Sequence, residues 1–425
     1  MKPDDTLLIG LDGGATEAKA HAVARAEVDA TTTFSLLPAS AARAYPRIEG
    51  FEPLPVGEQL AQRSAGQPRL ADAEIRQGAL WTQAAADAIA EVAAALGARR
   101  IRVGAGMPGL KTPDGRGIDA LNNGPRIPDY LEQLERGLSR AGLPLAEPIA
   151  RLGSDADYCG LGEEHGAAGL FRDTRHAYYV GCGTGIADAL KLRGALVPFD
   201  AAKGWIQKSW QMASSLGPTY ERLVSARSLN EVFERLNPVI EPVEPGGRES
   251  DAQDGGTHAF SSEQTSPGET APRSRPRPAY PEAAAAQGDG LAAAWLATAA
   301  WLLAELICER LCTVHSGRAP AAFRGAAYAA LDPRHAYRGV VLERVVIGQR
   351  IGQIFAAPQY QALFAAPLER RLADFLARYA APDMVAAWLD ADGRLREGRL
   401  CASRLRAAPA LGAAIAAYDT ARGVV

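Results

Sequence analysis

The strongest constraint in this sequence is a pair of glycine turns, each placed directly after a short apolar run. The first is Asp12-Gly13-Gly14-Ala15-Thr16. It follows a buried-strand pattern at residues 6–11 and precedes the alternation of residues 18–23, which predicts a returning hairpin strand. The second, Gly181-Cys182-Gly183-Thr184-Gly185, lies about 170 residues further on, between strand patterns at 177–180 and 186–192. Glycine weakens strand interiors, so three alternating glycines do little for a sheet. They do leave backbone amides open to a bulky anion. Asp-Gly also favours an ordinary tight hairpin, and for the first turn alone both readings stand. The two turns together point to phosphate binding by two similar lobes, although no strict repeat is visible.

A chain of 425 residues exceeds the usual size of one core, which also predicts two lobes. With 47% hydrophobic and 22% charged residues it reads as a globular enzyme. A net charge of -3 supplies no field for a polyanion, so nucleic acid is not an expected partner. The start Met1-Lys2-Pro3-Asp4-Asp5 lacks a signal-peptide pattern. The longest apolar run, 291–304, stops at Glu305 and is too short to span a bilayer. Five cysteines, an odd number, do not suggest a disulfide framework. The expected compartment is the cytoplasm, with no membrane partner.

Helices are predicted at 75–96, 129–141 and 291–315, and strands at 101–104 and 344–347. Gly348 and Gly352 follow the last strand, then two or three further helices. Residues 241–290 are dense in Pro, Gly, Ser, Glu and Gln, and predict a disordered insertion in a surface loop. Between the glycine turns stands Ser154-Asp155-Ala156-Asp157. A carboxylate there can accept a proton from an attacking hydroxyl, or the quartet can cap the helix that follows. Cys308, Cys312 and His315 share a helix face, but no second ligand pair accompanies them, so they read as core residues. His165 and His176 are solitary and expected at the surface, and the Arg-rich stretches 273–277 and 394–406 read as solvated.

Taken in order, Asp12-Gly-Gly-Ala-Thr16, Gly106-Met-Pro-Gly109, Leu121-Asn-Asn123, Ser154-Asp155-Ala156 and Gly181-Cys-Gly-Thr-Gly185 resemble the ROK branch of the actin-like sugar kinases. Residues 403–417 look like that family's closing helix, and the resemblance spans most of the chain outside 241–290. It implies a two-lobed α/β protein of the ribonuclease H-like type with its active site in the cleft. Residues 1–125 would form the first lobe, completed by a helix at 408–420, and 126–425 the second. ATP and Mg²⁺ are the implied cofactors, sugar and nucleotide the partners, and a homodimer the implied assembly. Asp12 would govern Mg²⁺, with Gly13, Gly14 and Thr16 as the first phosphate loop and Gly183, Thr184 and Gly185 as the second. Asp155 matches the catalytic base, while Ser154 stands where the family has Asn. Asn122 and Asn123 fall where members bind sugar hydroxyls, and either fits. Gly348 sits at the adenosine-side turn, where Gln349-Arg350 replaces further glycines.

The family's Glu-x-Gly-His sugar motif and cysteine-rich zinc loop are replaced by Phe199-Asp200-Ala-Ala-Lys203-Gly-Trp205-Ile-Gln207-Lys208-Ser-Trp210, so no structural zinc is expected. Trp205 and Trp210 can each stack on a pyranose or pack in the core. The expected activity is phosphoryl transfer to a sugar hydroxyl. The alternatives are a catalytically degenerate sugar-binding or regulatory protein, and an activator ATPase of the kind that carries a cysteine-bound iron–sulfur cluster. No suitable cysteine pair supports the second alternative. The repressors of the family carry a helix-turn-helix ahead of the kinase core; here the core pattern already begins at Thr6.

Overall fold

A computed structural model describes residues 6–28, 31–66, 69–236, 280–320, 322–323 and 331–422. The opening apolar run is strand β1 (Leu7–Gly13), and the predicted hairpin is longer than its sequence pattern suggested, with β2 (Glu17–Val28) followed by β3 (Thr31–Ala44). Helix α1 (Val56–Ser64) leads to α2 (Asp72–Ala95), which buries Trp81, Ala85, Ala88, Ile89 and Val92 along one face and stops at Gly97, whose φ is +61°. Strand β4 (Ile101–Gly106) runs parallel to β1. A short hairpin, β5 (Leu110–Lys111) and β6 (Ile118–Ala120), precedes α3 (Tyr130–Arg140) and β7 (Leu152–Gly153). The first sheet has the order β3-β2-β1-β4-β7. Helix α3 buries Tyr130, Leu131, Leu134 and Leu138 in the same core, and β7 pairs with β4. Both α3 and β7 thus belong with the first sheet.

Helix α4 (Asp155–His165) opens the crossing to the second sheet, made of β8 (Ala177–Cys182), β9 (Ile186–Leu192) and β10 (Ala195–Leu196). Helices α5 (Phe199–Ala202), α6 (Glu221–Val224) and α7 (Ala226–Leu236) follow. Of the expected disordered insertion, residues 241–279 lie outside the described residues. From Tyr280 onward that expectation is corrected: α8 (Pro281–Ala286) is a helix with Pro281, Glu282, Ala284 and Ala285 buried. Its small residues pack on a neighbouring helix, which local polarity does not reveal. That neighbour is α9 (Gly290–Ser316), capped by the Asp289 side chain, which accepts from the amides of Leu291 and Ala292. Among the described residues α9 alone is long and apolar enough to cross a membrane. Here it is a core helix, with Leu296, Leu303, Ile307 and Leu311 buried. Strand β11 (Arg344–Gly348), α10 (Gln349–Ala356), α11 (Ala366–Tyr379), α12 (Pro382–Trp388) and β12 (Leu400–Ala402) complete the lobe.

The second sheet has the order β10-β9-β8-β11-β12, with β8–β9 antiparallel and β11 parallel to β8. Strand for strand this repeats the first sheet. Two such sheets make the chain a two-lobed α/β protein of the ribonuclease H-like type. The last helix, α13 (Ala408–Arg422), returns to the first sheet. A Cβ at Gly10 or Gly104 would fall on the backbone carbonyl of Ala410 or Ala413, so glycine in β1 and β4 is what lets the helix approach.

Candidate functional site

Strands β1, β4 and β7 run parallel and end together, so their carboxyl ends gather the polar groups between them. Asp12, partly exposed near the end of β1, is paired across the sheet with Gly106 of β4, and Gly106 with Gly153 of β7. Ser154 occupies the N-cap position of α4 without making a side-chain cap bond, and Asp155 is the first helical residue. Two strand spacings separate the ends of β1 and β7, about 10 Å. Burial, and then the charge of Asp155, push the Asp12 carboxyl up from 3.8 to about 6. Lys19, its nearest cationic influence, is ion-paired with Glu17 at 2.9 Å.

Gly14 donates to the Glu17 carbonyl at 2.9 Å, closing the first turn and leaving Thr16 exposed. A Cβ at Gly13 would overlap the Met107 sulfur, so the turn lies close against β4's loop. That loop is gathered by Lys111, whose ammonium donates to the carbonyls of Met107 (2.6 Å) and Gly109 (2.9 Å). Burial brings Lys111 down from 10.5 to about 8, against the opposing pull of Asp155. Asn122 and Asn123 are exposed in the turn after β6, Asn123 at φ +60°. Gln59 holds this turn through both the amide and the carbonyl of Leu121.

In the second lobe Gly183 donates to the Gly185 carbonyl at 2.9 Å, and Thr184 is exposed. Glu221, from α6, accepts from the Ile186 amide at 3.0 Å, and a Cβ at Gly185 would stand 2.7 Å from its Oε2. Burial raises Glu221 above the usual carboxylate range. A Cβ at Gly183 would overlap the Gln349 side chain, and Gln349 itself has φ +58°, a left-handed conformation that glycine adopts more readily. Gly348 is buried, and any Cβ there would overlap the Tyr179 phenol. Packing inside the lobe therefore requires that glycine, and Gln349 is the residue that meets the turn.

Asp155 is the meeting point of these groups, because its charge acts on Asp12 and Lys111 from the first lobe and on Glu221 from the second. Asp157, two residues further along α4, is raised by burial and moderated by Lys208. Lys208 forms an ion pair with Asp200 at 3.1 Å. Trp205 stacks on His335 at 4.0 Å and packs against the core, whereas Trp210 remains 46% exposed. Cys308 and Cys312 are buried, and His315 bonds Asp383 at 2.8 Å. His165 and His176 are half-buried rather than free at the surface; His176 Nδ1 accepts from the Arg193 amide. Sequence reasoning missed Lys111, Glu221 and the Lys208–Asp200 pair. Lys111 carried a faint signal, standing two residues after Gly106-Met-Pro-Gly109, and Glu221 carried none.

No protein-family profile and no curated protein matches the chain. Among solved structures it is similar to a ROK hexokinase from Thermus thermophilus, at 18% identity, covering 98% of this chain and 100% of that one with a TM-score of 0.47. A ROK family glucokinase from Streptomyces griseus, in complex with glucose and AMPPNP, aligns at 14% identity over 96% and 97% of the two chains, TM-score 0.49. A ROK family transcriptional regulator, a homologue of the E. coli MLC protein, aligns at 14% identity over 99% of this chain and 80% of its own, TM-score 0.48. The chemistry has to be read from this chain's own residues.

Proposed function

We propose that the protein is a sugar kinase of the ROK type, transferring the γ-phosphoryl group of ATP to a sugar hydroxyl. The observation that carries this reading is the reach of the Asp155 charge at the start of α4, which acts on Asp12 beside the first glycine turn and on Glu221 beside the second. Asp155 accepts the proton of the attacking hydroxyl, and the exposed Asn122 and Asn123 and the half-buried Ser154 flank the acceptor. Gly13, Gly14 and Thr16 face the triphosphate from one sheet, and Gly183, Thr184 and Gly185 from the other, with Gly348 supporting the second turn from behind. In phosphoryl transfer such positioning supplies most of the catalysis.

The residues present fit a divalent cation held mainly by phosphate. No group of three or more ligating side chains occurs among the described residues, and Mg²⁺ on a triphosphate needs only one or two protein carboxylates. The charge of Asp155 raises the cost of ionising Asp12, which a cation would relieve. When bound, Mg²⁺ would neutralise charge developing on the transferred phosphoryl group.

A second reading, a sugar-binding protein that has lost turnover, draws on Glu221. Its carboxylate takes the Ile186 amide at the second turn, where a phosphate would be repelled. Coupled ADP release with Mg·ATP against hexoses, N-acetylhexosamines and hexitols separates the two. Release that depends on a sugar and vanishes in Asp155→Asn supports the kinase. Silence across the panel, with some sugar still raising the melting temperature, supports the second reading.

A further inference from the structure

Helix α9 is apolar along most of its length, yet it buries three charged residues, Glu305, Glu309 and Arg310, and of these Glu305 and Arg310 bond loops of the candidate site. Glu305 accepts from the Ser215 amide (2.8 Å), the Ser215 hydroxyl (2.6 Å) and the Tyr220 hydroxyl (2.7 Å). Tyr220 leads directly into Glu221, the carboxylate seated on the second glycine turn. Arg310, 1% exposed, donates to the Ser209 hydroxyl at 2.8 Å and reaches Asp188 at 3.5 Å. Asp188 in turn accepts from the Ser209 amide at 2.7 Å and from the hydroxyls of Ser209 and Tyr178. The Arg310 guanidinium also lies over the Tyr178 and Phe199 rings, at 5.7 and 5.5 Å. Ser209 is thus pinned from below, and its neighbours Lys208 and Trp210 flank it at the surface.

Apolar residues of similar volume would fill both helix positions at least as stably, so the charges are accounted for by what they hold. Five residues apart, they are displaced by about 7.5 Å along the helix axis and point to different loops. We propose that α9 positions the two halves of the site separately, Arg310 holding the Lys208–Trp210 segment on the acceptor side and Glu305 holding the Tyr220–Glu221 segment on the donor side. The assignment of sides rests on the kinase reading above. Support for the acceptor side comes from Lys208, whose charge acts on Asp157 and Lys111 beside Asp155.

The test compares Arg310→Met and Ser209→Ala with Glu305→Gln in the full chain, with Arg310→Lys as the conservative control. Arg310→Met and Ser209→Ala are expected to raise the acceptor KM about tenfold with the donor KM within about twofold, Arg310→Lys less so, and Glu305→Gln to do the reverse. Tryptic cleavage after Lys208 is expected to speed up about tenfold in the first two variants and not in Glu305→Gln. The cleavage assay needs no turnover. If the wild type phosphorylates nothing, the kinase reading fails, while the cleavage pattern still upholds or overturns the anchoring. Equal shifts of both KM values in every variant, or unchanged cleavage after Lys208 in both Arg310→Met and Ser209→Ala, would overturn it. Ser209→Ala keeps the test alive should Arg310→Met fail to fold.

Discussion

At the first glycine turn the carboxylate belongs to the strand itself: Asp12 of β1 pairs across the sheet with Gly106 of β4. At the second, the equivalent position on β8 is Gly181, paired with Gly348 of β11. There the carboxylate arrives from elsewhere, as Glu221 of α6 bonded to the Ile186 amide. The two sheets share strand order and the place of the turn, but only one turn carries its own acid. On the proposed kinase reading, a repeated scaffold yields an asymmetric site, in which one lobe would offer a carboxylate to a cation and the other backbone contact to an anion. Asp155, the first residue of the helix that leads from the first sheet to the second, acts by its charge on groups of both.

The largest expected effect of breaking this arrangement is at the centre. Asp155→Asn should lower kcat by about a thousandfold with the melting temperature unchanged, as loss of a general base does. Steady-state ADP release together with a thermal melt checks both halves. Retention of full turnover would remove Asp155 from the chemistry and with it the meaning of the comparison.

Next comes the acid that only one lobe owns. Asp12→Asn should reduce Mg²⁺-dependent turnover by about a hundredfold while stabilising the fold by about 1 kcal/mol near neutral pH, because the native carboxylate is held against burial and a like charge. Denaturant midpoints read the second effect. A destabilised variant would show that Asp12 serves the sheet and not the site.

A smaller effect is expected at the borrowed acid of the second lobe. Glu221→Gln should lower the donor KM by about three- to tenfold, since it removes a negative charge beside the anion turn. A raised KM would instead make Glu221 a ligand of the bound cation.

The last effect is a pH dependence, small near neutrality and growing below pH 6. The folded Asp12 carboxyl lies at about 6, above its ordinary 3.8, so the fold favours its protonated form. Stability from this group is therefore present at low pH and lost as pH rises through that window. The ionised form needed for Mg²⁺ appears over the same range. Apparent Mg²⁺ affinity should weaken about tenfold for each pH unit below 6, while the melting temperature moves the other way. Parallel movement of the two would refute the assignment.

Much of the fold was legible in local pattern. The strands flanking both turns, α2 and α9 follow from periodicity that each segment carries alone. The third strand of the first sheet was not, because residues 31–44 alternate weakly and owe their strand state to pairing along β2. Helix α8 was hidden for a similar reason, since its alanines become core only against α9. Within the site, Asp12, Asp155 and the two turns stand in recognisable short motifs. Lys111, Glu221 and Lys208 do not, because each gains its setting from residues far away in the chain.

The sequence by itself determined where glycine must be and which carboxylates begin a turn or a helix, since these are properties of adjacent residues. Only the tertiary structure decided that Glu305 and Arg310, on a helix apolar enough to suggest a membrane span, are buried against Ser215, Tyr220, Ser209 and Asp188. A buried charge is tolerable only where distant partners satisfy it, and which partners those are depends on how the whole chain packs.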